Sequence, residues 1–284
     1  MPLAGSSFAH SAGWQCPHCQ EELALVGNSW QCINRHSFDR AKQGYVNLLP
    51  SHRKQSKQPG DNAEMVTARS RFLGGGHYQP LLLSITSMLK THLAEANGSW
   101  LDAGCGEGWY TAALQQQLPA MQGFAIDISK PAIGACCRRS KSIQWAVASV
   151  ADVPLCDHTM SFILSVFSRI DWGQFERILA NEGLLLAVTP GQHHLLELRQ
   201  AIYDEVRLHE EEKVLKQLPE SFQCVATERC EFSFTLEGSE QMLDLLAMTP
   251  HYWHINPEQK QRLIARKTLT TRADFKLELV RKQH

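Results

Sequence analysis

The sequence predicts an α/β protein, a parallel sheet with alternating strands and helices, preceded by a small metal-binding module. Three observations carry this. The run Trp100-Leu101-Asp102-Ala103-Gly104-Cys105-Gly106-Glu107-Gly108-Trp109-Tyr110 is apolar, then acidic, then glycine-rich, then helical in pattern, which is the order of a strand, a tight turn and a helix. About twenty residues further on, Gly123-Phe124-Ala125-Ile126-Asp127 reads as a second strand that also ends in a carboxylate. Upstream, Cys16-Pro17-His18-Cys19 and the pair Cys32 and His36 set four soft or borderline ligands in two close pairs.

The 284 residues leave room for one sizeable domain and a smaller one. No apolar run approaches the length of a membrane span, and no basic patch followed by an apolar stretch opens the chain. A cytoplasmic protein without a membrane partner is therefore expected. Nine cysteines in such a setting are expected to be free thiols or metal ligands. The net charge of −1 does not advertise nucleic acid, so charge has to be read locally.

In chain order, the two ligand pairs come first. A pair two residues apart chelates one ion from a tight turn, and the second pair closes a tetrahedron with no open position, so Cys16, Cys19, Cys32 and His36 read as a structural Zn2+ site. His18 competes as a ligand but is expected to face away. So short a stretch buries little core and owes its folding to the metal. From Cys32 to Pro59 the basic residues Arg35, Arg40, Lys42, Arg53, Lys54 and Lys57 stand against the single acid Asp39. With Phe38 and Tyr45 among them, this stretch is either a solvated linker or a surface for phosphates and unpaired bases. Ser51 through Gly60 reads as a linker.

A helix is predicted from Asp61-Asn62-Ala63-Glu64 through Arg71, stopped by Gly74-Gly75-Gly76, which is either a hinge or a close approach to ligand. An amphipathic helix over Leu81 to Leu93 precedes the strand ending at Asp102. The glycine turn aims unpaired N–H groups and a helix dipole at whatever sits above it. Its G-x-G-x-G spacing differs from the dinucleotide pattern G-x-G-x-x-G. Asp127 is placed to accept hydrogen bonds from both hydroxyls of a ribose.

Further on, a helix from Lys130 to Cys137, strands at Ile143 to Val147, Met160 to Val166 and Gly183 to Val188, and a helix from Leu195 to Leu208 are expected. Ser149 falls where an adenine edge would lie, although a plain turn fits equally. Phe167 stands after a strand end, available to stack on a purine or to be buried. Phe222 to Leu236 and Lys267 to Val280 alternate as an antiparallel pair, and Met248-Thr249-Pro250-His251-Tyr252-Trp253 between them forms either a wall over a pocket or a cap on the sheet. Cys105 in the glycine turn and Cys136 and Cys137 on a helix have no basic partner that the sequence can show, so a nucleophilic cysteine is not expected.

The turn from Asp102 to Gly108 resembles motif I of class I S-adenosylmethionine-dependent methyltransferases. A longer list is more specific. The two ligand pairs, Phe38-Asp39, Gly44-Tyr45-Val46-Asn47-Leu48-Leu49, Pro59-Gly60-Asp61, Gly76-His77-Tyr78-Gln79-Pro80, Thr189-Pro190-Gly191, His194-Leu195 and Met248-Thr249-Pro250 are similar, in order and spacing, to the bacterial 23S rRNA (guanine-N1)-methyltransferase family of the RlmA type. The family's loop after the fourth strand reads as an aromatic residue followed by Ala-Pro, where this chain has Val166-Phe167-Ser168-Arg169.

The resemblance implies a class I, Rossmann-like methyltransferase domain over 78–284, a zinc-binding, RNA-recognition module over 1–50 and a basic linker and hinge over 51–77. It implies S-adenosyl-L-methionine as cofactor beside Zn2+, held by Tyr78, Asp102, Gly104, Gly106, Glu107, Gly108, Asp127, Ser149 and His194. It implies methyl transfer to N1 of a guanosine in a 23S rRNA hairpin, with Phe167 and His194 nearest the chemistry, and pairing of two copies. A small-molecule methyltransferase with the knuckle as a lid, and a zinc-dependent RNA-binding protein without catalysis, are the alternatives. The basic run from Arg35 to Lys57 argues against the first, and the intact Gly104, Gly106, Gly108 and Asp127 argue against the second.

Overall fold

A computed structural model describes residues 13–50, 59–93, 97–210 and 213–283. Arg53, Lys54 and Lys57 of the basic run, and most of the linker read at Ser51 to Gly60, lie outside the described residues.

The N-terminal module is a small antiparallel sheet of β1 (Ala24–Val26), β2 (Ser29–Gln31) and β3 (Ser37–Asp39). It is held to the rest of the protein by buried contact. Trp14 is fully buried, its ring edge-on to Phe124 at 5.1 Å, and Gln15 N donates to Pro154 O at 2.8 Å. At roughly 25 cal/mol per Å2, burying an indole contributes about 5 kcal/mol at most. The next strand, β4 (Val46–Asn47), leaves the module and pairs in parallel with a strand of the large sheet, Val46 opposite Ala146 and Asn47 opposite Val147.

Helix α1 (Ala63–Gly74) starts where Asn62 caps it, the side chain accepting from Met65 N at 2.9 Å. It ends in the triple glycine, where Gly75 N donates back to Arg71 O and Gly76 takes φ +80°. Helix α2 (Gln79–His92) follows at once, with Pro80 in its first turn, and buries Leu81, Ile85, Met88 and Leu89. The triple glycine is thus the corner between two helices.

The remaining elements alternate as the sequence predicts: β5 (Ser99–Ala103), α3 (Trp109–Gln117), β6 (Gln122–Asp127), α4 (Lys130–Arg139), β7 (Gln144–Val147), β8 (Met160–Val166), α5 (Trp172–Ile178), β9 (Leu179–Pro190), α6 (Leu196–Ile202), α7 (Lys213–Lys216), β10 (Phe222–Glu237), α8 (Gly238–Ala247), α9 (Pro257–Ile264) and β11 (Thr268–Lys282). Among the described residues, the large sheet runs β10-β11-β9-β8-β5-β6-β7-β4. β11 is antiparallel to both neighbours, and every other pair is parallel. Strand order reverses between β5 and β8, so the loops after these two strands diverge to opposite sides and leave a crevice at their carboxyl ends.

One helix is shorter than its periodicity predicts. The pattern from Leu195 to Leu208 is helical only to Ile202, where Tyr203 turns extended. The Arg199 guanidinium donates to Arg207 O at 2.7 Å and folds the chain back across the helix end. The antiparallel pair is registered from Phe222 opposite Lys282 to Glu237 opposite Thr268. Between its strands stand α8, a 3-10 turn at Pro250–Trp253 and α9.

Candidate functional site

In the N-terminal module the four sequence-predicted ligands converge, their ligand atoms all within 4.8 Å of one another. Cys16 Sγ and Cys32 Sγ lie 3.5 and 3.4 Å from His36 Nδ1, and Cys19 Sγ lies 3.7 Å from Cys32 Sγ. With Zn–S near 2.3 Å and Zn–N near 2.1 Å, the edges of a zinc tetrahedron are about 3.5 to 3.8 Å. The donor set and spacing therefore fit Zn2+. His18 is outside the cluster, its ring stacked on Phe38 at 5.7 Å.

At the crevice between β5 and β8 lies a cavity of about 910 Å3. Its floor is the glycine turn. Gly104, Gly106 and Gly108 all take positive φ (+83°, +56° and +79°), conformations that L side chains rarely adopt. A side chain on Gly104 would also collide with Ser168 Oγ.

Carboxylates surround this floor. Asp127 Oδ2 accepts from Gly106 N at 2.9 Å and its Oδ1 from Ser129 N at 2.8 Å, which leaves lone pairs on both oxygens. Withdrawal from water raises Asp127 to about 6, against the lowering effect of those two N–H groups. Asp102, almost fully buried, accepts from Thr111 Oγ1 at 2.6 Å. Burial, aided by the charge of Asp127, raises it to about 7. Glu107 is buried against the Arg139 guanidinium and Ser70 Oγ. Its Oε1 and the Tyr110 hydroxyl are buried without a partner among the described residues.

The far wall is aromatic and imidazole. Phe167, half-exposed, adopts φ +54°, and Leu195 adopts φ +51°; non-glycine residues held there store strain, which concentrates at functional sites. The Phe167 ring faces His194 at 6.2 Å and 27°, and Phe275 at 5.3 Å. Tyr78 is buried among Phe72, Phe234 and Phe275 and still reaches the lining. Met248, Thr249, Pro250, His251 and Trp253 close the opposite side, so this stretch forms a wall.

His194 is fixed by Asp274 of β11. The Asp274 backbone N–H donates to His194 Nδ1 at 3.3 Å. Burial, together with His209, lowers His194 to about 3, so the ring is neutral at ordinary pH. The Asp274 carboxylate accepts two bonds from the Arg229 guanidinium, at 2.9 and 2.7 Å, and one from His193 N at 2.9 Å. Burial would raise this carboxyl, but those donors bring it below its ordinary value.

Of the residues singled out in the sequence, Tyr78, Asp102, Gly104, Gly106, Glu107, Asp127, Phe167 and His194 line this one cavity. Gly108 stands just behind it as the N-cap of α3. Ser149 is not in the lining; its Oγ accepts from Ala151 N, the geometry of the plain turn. Lining residues that the sequence reading passed over are Asp61 and Arg69, ion-paired at 2.5 Å, together with His209. A donor-lined turn at a switch point, with acids placed for a ribose and an ammonium, fits an adenosyl amino acid. The mouth beside it is wide and apolar enough for a base.

A family described as "RlmA, N-terminal" matches residues 14–57, and one described as "Methyltransferase domain" matches residues 101–188. The 23S rRNA (guanine(748)-N(1))-methyltransferase of Streptomyces fradiae is 36% identical over 254 residues, covering 88% of this chain and 89% of that protein. A protein of Micromonospora griseorubida, named as a candidate 23S rRNA (guanine-N1)-methyltransferase, is 32% identical and covers 89% and 90%. The crystal structure of a candidate methyltransferase from Bacillus halodurans superposes with a TM-score of 0.50 at 14% identity, covering 70% of this chain and 98% of that one, a likeness of fold.

Proposed function

Because this chain belongs to the family of 23S rRNA (guanine-N1)-methyltransferases, we propose that it transfers a methyl group from S-adenosyl-L-methionine to N1 of a guanosine in a 23S rRNA hairpin. The observation that carries the reading is the meeting, in one cavity, of the glycine turn and its acids with the wall formed by Phe167, His194, His251 and Trp253. One side suits a nucleoside cofactor and the other an unpaired base.

The sulfonium supplies an already activated methyl group, so the protein's contribution is position and exclusion of water. Asp127 would hold the ribose, Asp102 would receive the α-ammonium, and the N–H groups of the turn would face the rest of the amino acid. Phe167 stacks on the target base. His194 faces it with an Nε2–H donor, which suits guanine O6 and favours loss of the N1 proton. The cofactor, when bound, would supply the methyl group that replaces the N1 proton, and that proton would leave to water at the cavity mouth. N1 is hidden in a Watson–Crick pair, so a loop base is taken or one is flipped out, at a cost of a few kcal/mol. Arg35, Arg40 and Lys42 of the zinc module meet the hairpin phosphates, which adds affinity without sequence choice.

The protein works in the cytoplasm. Among the described residues no helix is long and apolar enough to cross a membrane. Two copies pair, as the family resemblance implies, and light scattering at about twice the chain mass checks it.

A methyl on N1 halts reverse transcriptase. The 23S rRNA of a strain lacking the gene loses one halt, and the purified protein with cofactor restores it. The same halts with and without the gene overturn the reading.

A further inference from the structure

The cofactor cavity is rich in negative charge. Asp61, Asp102, Glu107 and Asp127 all contribute to its lining, and among the described residues Arg69 is the only lysine or arginine that does. Arg69 reaches the cavity from α1, which the sequence shows only as a helix running into the triple glycine. Its Nη1 pairs with Asp61 Oδ2 at 2.5 Å, both side chains about three-quarters buried. The same nitrogen lies 3.0 Å from where a Cβ on Gly106 would stand, so the guanidinium lies directly over the glycine turn.

The amino acid end of the expected cofactor carries both an ammonium and a carboxylate. Asp102 and Asp127 suit the ammonium and the ribose; the N–H groups of the turn face the carboxylate, but no positive charge assigned so far balances it. Without a cation, that group would sit in a crevice already lined by acids, a costly arrangement away from water. The Asp61 carboxylate already on Arg69 demonstrates that the guanidinium accepts such a group, and a guanidinium has five N–H donors, so one carboxylate does not exhaust it.

We propose that Arg69 forms the carboxylate subsite of the cofactor cavity, with Asp61 holding its guanidinium over the turn until the ligand carboxylate joins it. This rests on the reading of the cavity as an S-adenosylmethionine site, and it makes α1 part of that site. Lysine in place of Arg69 keeps the charge but loses the planar fork that binds carboxylates through two parallel bonds.

Calorimetry on the zinc-loaded full chain tests this with three ligands. S-adenosylhomocysteine has the whole amino acid, S-adenosyl-3-thiopropylamine lacks only the carboxylate, and 5′-methylthioadenosine lacks both charged groups. The wild-type chain is expected to bind the first at least tenfold more tightly than the second. R69Q is expected to lose that discrimination while binding methylthioadenosine within threefold of wild type, and R69K to restore part of it. A wild-type chain that binds the first two ligands equally overturns the proposal without recourse to any variant. Discrimination that survives in R69Q overturns it too, as does an equal loss of all three ligands in R69Q. A wild-type chain that binds none of the three refutes instead the cofactor reading on which the proposal stands.

Discussion

His194 Nδ1 accepts the backbone N–H of Asp274 at 3.3 Å, which leaves the ring proton on Nε2. A neutral histidine held in this way is a donor toward the cavity and a poor proton acceptor. The 15N spectrum of the free protein is therefore expected to show the Nε2–H tautomer from pH 5 to 8, with no titration of this ring. H194F should lower the methylation rate about tenfold to a hundredfold, the worth of one donor to a developing charge. A titration midpoint near 6.5 would contradict the donor role.

Asp102 at about 7 and Asp127 at about 6 stand above the ordinary carboxylate value of 3.8, so the free protein holds protons there that the unfolded chain has released. Two consequences follow, of opposite sign in pH. Stability of the free protein falls as pH rises from about 4 through these values. Binding of a cationic ammonium at Asp102 favours the carboxylate, so affinity for S-adenosylhomocysteine should improve about tenfold between pH 5.5 and 7.5, with release of a proton. Calorimetry in buffers of differing ionisation enthalpy reads that proton. A flat profile would remove Asp102 from the ammonium.

Glu107 has no exposed side-chain surface and depends on Arg139 and Ser70. R139A leaves a buried carboxylate without its cation, expected to cost about 3 kcal/mol of stability. Burial already raises this carboxyl, and without Arg139 it rises further. The loss should therefore be larger at pH 8 than at pH 5, where protonation relieves it. Thermal melts at the two values decide, and an equal loss at both would place the stability of this corner elsewhere.

Gly104 combines positive φ with contact to Ser168, so G104A should weaken S-adenosylhomocysteine at least tenfold in a protein that still melts cooperatively. S168G relieves only the collision, and the double variant should recover little. Full recovery would make contact, and not backbone conformation, the deciding term.

C16S removes one corner of the metal cluster. Released zinc, a lower melting temperature and weaker RNA binding are expected, with affinity for S-adenosylhomocysteine within a few-fold. Loss of cofactor affinity in step with RNA affinity would mean that module and catalytic domain do not act separately.

What was legible in the sequence was local. The glycine turn, the two ligand pairs and the acids at the ends of β5 and β6 each need particular residue types a few positions apart, and spacing reveals them. His194 was legible through the family resemblance, although its tautomer is decided by Asp274, eighty residues away. Arg69 left no mark, and Asp61 showed only as a helix start and a part of the family motif, because their pairing comes from where α1 crosses the turn, a property of tertiary packing. Asp274 stands in β11 among other charged and polar residues, and nothing in its spacing marks it. β4 is two residues long, too short for any alternation to register, and the helix read through Leu208 failed because Arg199 draws the chain back at Tyr203.

Val46 and Asn47 hydrogen-bond into the edge of the same sheet whose middle strands β5 and β8 carry the crevice at their carboxyl ends. Zinc knot and methyl-transfer crevice are thereby spaced as two jaws on one caliper instead of two weights on a string. On the proposed function, an RNA held by the first would present to the second only the nucleotide at the matching span, so choice of guanosine would be a question of length as much as of base identity.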